Sequence, residues 1–223
     1  MSEPVKRRRA YNSERRREAA LQTRSRILEA AAARFVEHGF AGTTIAAVAS
    51  DAATAPETVY AIFGNKVALL EAVVRGAARG AEDREILQQE GPARVAAAGT
   101  QREQLALFAD DISRRLARTA PLLGVVGAAA PGEPALAELA RRLHEARLAN
   151  IRTVPGLLER HGPLRLEAEQ ASETIWALAS PELYLLLSEQ RGWSRARYAE
   201  WLADSLAALL LVSQSVPTSC DSS

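Results

Sequence analysis

The chain has 223 residues, of which 48% are hydrophobic but only 5% aromatic, with a formal charge of +1 and a single cysteine. That length supports one sizeable core or two modest ones, and the excess of alanine and leucine favours helices over a sheet. Cys220, alone in a polar tail, excludes an intrachain disulfide and fits a reducing cytoplasm, while the apolar run at 206–212 is too short to cross a bilayer.

Charge is distributed unevenly. Residues 1–26 hold nine Lys or Arg against three Glu, a net +6, which leaves −5 for the rest. A basic end on an acidic body suggests that this end meets a polyanion. No apolar segment follows the basic residues, so they do not form a secretory signal. Residues 1–12 are expected to form a disordered arm, from which Arg7, Arg8 and Arg9 either enter a minor groove or attract phosphates without a fixed pose. Ser13 is the expected N-cap of a long first helix that stops near Gly39, with Leu21, Leu28, Ala31 and Phe35 as its inner stripe.

The stretch 43–70 reads as a helix-turn-helix. Ile45, Val48, Ala49 and Ala52 make one buried face of a short helix, and Val59, Ile62 and Phe63 repeat the spacing. Between them lies Ala53-Thr54-Ala55-Pro56-Glu57. Pro56 suits a first helical turn, and Thr54 with Glu57 fits a capping box. Helices joined by so tight a turn cross steeply, the arrangement that lets the second enter a DNA major groove. The next helix, expected from Lys66 towards Gln89 with Gly76 and Gly80 inside it, presents an N-terminus that with Lys66 forms a natural phosphate seat.

Residues 24–73 resemble the N-terminal DNA-binding domain of TetR-family transcriptional regulators. The resemblance rests on Ile27-Leu28, Ala30-Ala31, Phe35, Gly39-Phe40, Thr43-Thr44-Ile45, Val48-Ala49, Ala52, Thr58-Val59-Tyr60, Phe63, Lys66 and Leu69-Leu70. Two positions depart from the family pattern: Ala53 replaces the turn glycine and Ala55 the serine that opens the second helix. An alanine at positive φ costs about 1 kcal/mol, so a reshaped turn capped by Thr54 is expected. The resemblance implies phosphate contacts from Thr44, Tyr60 and Lys66. It also implies that Ala55, Pro56, Glu57, Thr58 and Ala61 face base edges. With no Arg or Lys on that helix, the commonest guanine contact is missing, and specificity falls to Glu57, thymine methyls and DNA shape.

Gly91–Thr100 reads as a loop or a weak short helix. Amphipathic helices are expected at 101–118, 121–129, 134–154, 166–179, 181–189 and 195–212, most of them separated by Gly-Pro punctuation. In the last, Ser194 is the N-cap and Trp193 packs on Tyr198 as a staple. Its apolar stripe, Tyr198, Trp201, Leu202, Leu206, Leu209 and Leu210, is wide enough to need more than one partner. The region also resembles the C-terminal part of many TetR-like proteins, which implies a homodimer interface built by the last two long helices. The same resemblance implies a mainly apolar effector cavity in the body, with Phe108, Trp176 and Tyr184 as candidate wall residues.

Catalytic constellations are missing from the sequence. His38, His144 and His161 stand far apart, with no metal-ligand spacing, phosphate loop or nucleophile elbow, so no enzyme activity, cofactor or metal is expected. Asp110-Asp111 pairs with Arg114 and Arg115 at helical spacing, as on a solvated face. The expected architecture is all-α: an arm at 1–12, a three-helix helix-turn-helix domain at 13–65, a helical ligand-binding and dimerisation domain at 66–212, and a polar tail at 213–223. The function expected is a cytoplasmic repressor that releases palindromic double-stranded DNA when a small apolar or amphipathic molecule binds, with no membrane partner. An architectural DNA-binding protein and a helical enzyme or lipid-handling protein are the alternatives.

Overall fold

The computed structural model describes residues 4–82 and 84–212, with side chains from Arg17 onward. Cys220 and the tail at 213–223 lie outside the described residues. Eleven α-helices occur among them: α1 Pro4–Gly42, α2 Ile45–Asp51, α3 Pro56–Phe63, α4 Lys66–Arg79, α5 Glu90–Ala97, α6 Gln101–Ala129, α7 Pro134–Ile151, α8 Thr153–Glu159, α9 Ala168–Leu178, α10 Pro181–Leu185 and α11 Arg195–Leu210. Among the described residues no strand forms; one isolated antiparallel bridge joins Leu164 to Leu211.

Two compact units result. Unit 1 comprises residues 1–81 and 118–142, and unit 2 residues 82–117 and 143–223. The division expected at 65/66 is therefore corrected. The reason is packing: α4 lies on α1 and buries Leu69, Leu70, Val73 and Val74, which makes it part of the same core as the helix-turn-helix. Unit 1 is tied further by Glu71, whose carboxylate accepts from Arg142 Nη1 and Nη2 at 3.1 and 2.9 Å and from Arg75 Nη2 at 2.8 Å. Arg118 Nε adds a bond to Ala77 O at 3.0 Å.

Several element boundaries differ from expectation. α1 begins at Pro4, so the segment expected as a disordered arm with a cap at Ser13 carries helical backbone from Pro4 on. Proline suits a first helical turn, and the Lys-Arg-Arg-Arg-Ala that follows has high helix propensity. At its other end Gly39, at φ 67°, breaks the helical path as expected. The buried stripe of α1 is Ile27, Ala31 and Phe35, whereas Leu21 is 60% exposed, because α1 turns the 27/31/35 row towards the core it shares with α4. α4 stops at Gly80, which caps it at φ 67° instead of lying inside it.

α6 continues through Pro121 as one helix where a break was expected. Proline cannot supply the donor that Ala117 O would receive, and the boundary between the two units within α6 falls at 117/118. The 134–154 helix is divided into α7 and α8, and 181–189 into α10 and a π-helical turn at Leu186–Gln190. In unit 2 the Asp110-Asp111 stretch is more than a solvated face. Arg115 is buried, held by Asp111 Oδ2 and Gln89 Oε1 at 3.0 Å each, and Asp110 also accepts from Arg195 at 2.8 Å.

Candidate nucleic-acid interface

The helix-turn-helix is built from within. Val48 and Ala49 of α2 and Val59 of α3 are fully buried. Thr43, also fully buried, places its hydroxyl 2.8 Å from Gly39 O and 3.1 Å from Arg34 O, which anchors the entry to α2 on α1. Arg34 forms a bidentate pair with Asp51 at the far end of α2, Nη2 lying 2.9 Å from Oδ1. That pairing holds the Asp51 carboxyl below its ordinary value.

The turn between α2 and α3 closes as a Schellman motif. Thr54 N donates to Ala49 O at 2.9 Å and Ala53 N to Ser50 O at 3.1 Å, with Ala53 at φ 49°. The expected capping box does not form. Ala55 is the N-cap of α3, in extended geometry and without a side-chain cap, because the Schellman turn consumes the backbone around Thr54. Gly64 ends α3, its N–H 2.8 Å from Tyr60 O.

α3 presents Ala55, Glu57, Tyr60 and Ala61 to solvent, with Pro56 and Thr58 half-buried. Tyr60 is 53% exposed, and Ile62, expected in the core, is 39% exposed, so Val59 alone anchors the helix fully. Thr44 is the exposed N-cap of α2. Its oxygen accepts from Ala47 N at 3.1 Å, which leaves its hydroxyl hydrogen available to a phosphate. Lys66 is placed differently. Its Nζ donates to Phe40 O at 2.8 Å and Thr43 O at 3.0 Å and lies 4.1 Å from the Phe40 ring centroid. Two of its three donors thus close the loop between α1 and α2, which leaves one for a phosphate. Asn65 caps α4, accepting from Ala68 N at 2.9 Å. Arg24 stacks on Phe63 at 5.2 Å. The side chains of Arg7, Arg8 and Arg9 lie outside the described ones.

In unit 2 the expected interface residues separate into two groups. Tyr198, Leu202, Leu206 and Leu210 form the inner face of α11, buried within the chain, so they cannot be contacts with a partner. Trp201 is half-buried and Leu209 is 47% exposed. The width of the stripe calls for more than one neighbour, and α11 meets both α9 and the π-helical turn within the chain. Ser194 caps α11 as expected, through Arg197 N at 3.2 Å. Trp193, however, packs edge-on against Trp201 at 5.9 Å, not against Tyr198.

Of the proposed cavity residues, Tyr184 meets Tyr198 edge-on at 4.9 Å, and Phe108 and Trp176 are half-buried. The Tyr198 hydroxyl donates to Leu178 O at 3.0 Å, and burial raises its pKa. Trp176 is covered by Arg147, a residue with no signal in the sequence beyond being one more arginine on an amphipathic helix. Among the described residues no helix is long and apolar enough to cross a membrane, and no group of three or more His, Cys, Asp or Glu is placed to hold a metal ion.

Comparison with known proteins agrees with this geometry. The family model described as "Bacterial regulatory proteins, tetR family" matches residues 27–73, from the buried part of α1 into α4. The HTH-type transcriptional repressor SCO4008 of Streptomyces coelicolor is 42% identical over 52 residues, 23% of this chain and 27% of that protein, so the match spans about a quarter of this relative. Among solved structures, a TetR-family transcriptional regulator from Mesorhizobium loti superposes with a TM-score of 0.67 at 21% identity, covering 86% of this chain and 98% of that one. FadR from Bacillus subtilis, a transcriptional regulator solved in complex with stearoyl-CoA, gives 0.62 at 15% identity, covering 82% and 96%. The amino-terminal domain at residues 27–73 therefore matches that of the TetR family of bacterial regulatory proteins, and the chain shares its fold with solved regulators over more than four-fifths of its length.

Proposed function

We propose that the chain is a homodimeric transcriptional repressor that grips a palindromic operator through α3 and releases it when a small molecule occupies unit 2. The observation that carries this reading is the outward face of α3: Ala55, Glu57, Tyr60 and Ala61 stand in solvent on a helix packed against α2 and α4 and anchored by fully buried Val59. Thr44 and Tyr60 act as phosphate contacts that set the register, and Glu57 with the small residues beside it reads base edges. The basic residues preceding Arg17 add sequence-independent attraction. Dimerisation uses the solvent-facing side of α11 around Trp201 and Leu209, which the chain's own core leaves uncovered. A regulator of the same fold holds stearoyl-CoA, which supports a ligand-holding role for unit 2 here.

The test is selection of duplexes from a random library with the full chain, followed by titration at several salt concentrations. The expected product is a palindrome with half-sites one helical repeat, about 34 Å, or a multiple apart, and Glu57→Gln should change the preferred bases while keeping the spacing. Enrichment of a single half-site, or no enrichment, overturns the reading. By linkage, an effector that weakens operator binding must itself bind the operator complex less tightly, by about 1–3 kcal/mol.

A further inference from the structure

Unit 2 contains three buried hydrogen-bond donors without a partner that belong to one pair of side chains: Nε and Nη2 of Arg147 and Nε1 of Trp176. The guanidinium lies over the indole, with Cζ 4.4 Å from the ring centroid. Its remaining nitrogen is committed, because Nη1 is 2.7 Å from Trp176 O and 3.3 Å from Ala179 O. Those carbonyls belong to the last turn and the C-cap of α9, where a cation is favoured. A guanidinium is planar, and its Nε–H and Nη2–H leave one edge side by side. With Nη1 fixed to the end of α9, that edge is the one left over, and it matches the two oxygens of a carboxylate.

Nothing described in the chain fills this edge. Glu182 acts on Arg147 only through space, and the Tyr198 hydroxyl is directed to Leu178 O. Burial lowers the Arg147 pKa to about 10, so the group stays cationic at neutral pH. Leaving donors of a buried cation unmade is costly, and the surroundings are aromatic: the His144 ring lies 5.7 Å from Trp176. Arg147 and Trp176 are each half-buried as whole residues, so the pair lies close beneath the surface of unit 2. One cation with two adjacent unpartnered donors, beside the unpartnered Nε1–H of Trp176, suits a monoanion with two oxygens, whereas a phosphate dianion would call for a second cation.

We propose that the Arg147–Trp176 pair is the acid-group subsite of unit 2 and takes the carboxylate of a small amphipathic monocarboxylic acid. The Nε/Nη2 edge binds both oxygens, and Trp176 Nε1 supplies the third hydrogen bond. The proposal rests on the reading of unit 2 as a ligand-holding unit and names the class of ligand.

The experiment compares decanoate and 4-phenylbutyrate with decanol and 4-phenylbutanol on the full chain, by tryptophan fluorescence and thermal shift. The acids should bind at least about tenfold more tightly than the alcohols. Arg147→Lys keeps the charge but loses the fork, and should weaken the acids about tenfold while leaving the alcohols unchanged. Trp176→Phe keeps the ring but removes the donor, and should weaken the acids severalfold. Equal binding of acids and alcohols, no binding of either, or acids bound by Arg147→Lys as by the wild type would each overturn the proposal. An unfolded variant does not block the decision, because the wild-type comparison stands alone. Operator affinity is measured separately. Acid binding with the pattern above but without effect on the operator would sink the ligand-release reading and leave the subsite intact, whereas operator binding without acid binding sinks the subsite alone.

Discussion

Ala53 offers a direct test of the local geometry at the DNA-reading end. Among the described residues it is the only one besides glycine with a positive φ, 49°, and it sits at the left-handed position of the turn between α2 and α3. A non-glycine residue there costs about 1–2 kcal/mol. Its methyl group is exposed, so Ala53→Gly gives up little buried surface. Against the relief stands the greater freedom of glycine in the unfolded chain, about 0.4–1 kcal/mol. The net expectation is a gain of about 0.5–1 kcal/mol, or about 1–4 °C in Tm for a chain of this size. Ala53→Val, β-branched in a region that excludes such residues, should lose about 1 kcal/mol or more. Urea titration with an unchanged m-value and a thermal scan measure both variants. Ala53→Gly no more stable than the wild type, together with Ala53→Val equal to it, would refute the left-handed assignment and with it the Schellman turn.

Four further outcomes are expected. Lys66→Met removes the bonds to Phe40 O and Thr43 O and should cost about 1.5–3 kcal/mol of stability; the salt slope of operator binding falls by about one only if the third donor also reaches a phosphate. Glu71 is held below its ordinary carboxyl range, first by its hydrogen bonds to Arg142 and then by Arg75. Its contribution is therefore present above pH 4.5, the unfolded value, and lost as pH falls through the depressed folded value. Acid unfolding curves should show Glu71→Gln less sensitive to pH than the wild type across that window.

Gly91 lies against the Asp111 carboxylate, which is itself paired with buried Arg115, so a Cβ there has no room. Gly91→Ala should lose about 1–3 kcal/mol in urea titration, and a neutral result would mean that Asp111 is free to move. Leu206 is fully buried and Leu209 half-exposed, so Leu206→Glu should unfold the chain. Leu209→Glu should instead leave a folded monomer by circular dichroism and sedimentation, and a dimer surviving Leu209→Glu would move the interface away from that face of α11.

The sequence alone determined what is local and periodic. The tight turn after Ala52, the Pro56 start of α3, the Gly39 break, the Ser194 cap and the all-helical composition each depend on residues within a few positions of one another. The helix-turn-helix reading of residues 43–70 followed from them, and the family resemblance over residues 24–73 from the particular residues at those positions. What only the tertiary structure decided is which face of each helix meets which neighbour. An apolar stripe does not state its partner, so the inner row of α1 appeared as 21/28/31/35 when it is 27/31/35, and the stripe of α11 looked like a dimer seam when most of it is the core of unit 2. Lys66 looked free for DNA because nothing in the sequence places Phe40 O and Thr43 O against its ammonium. Helix length through Pro121 was settled in the same way, since packing outweighs one missing hydrogen bond. Arg147 carries no motif, and only the arrival of the C-terminal end of α9 at Nη1 turns its other edge into a buried pair of donors without acceptors. Side-chain chemistry is written in the sequence, but burial and pairing come from contacts between residues far apart along it.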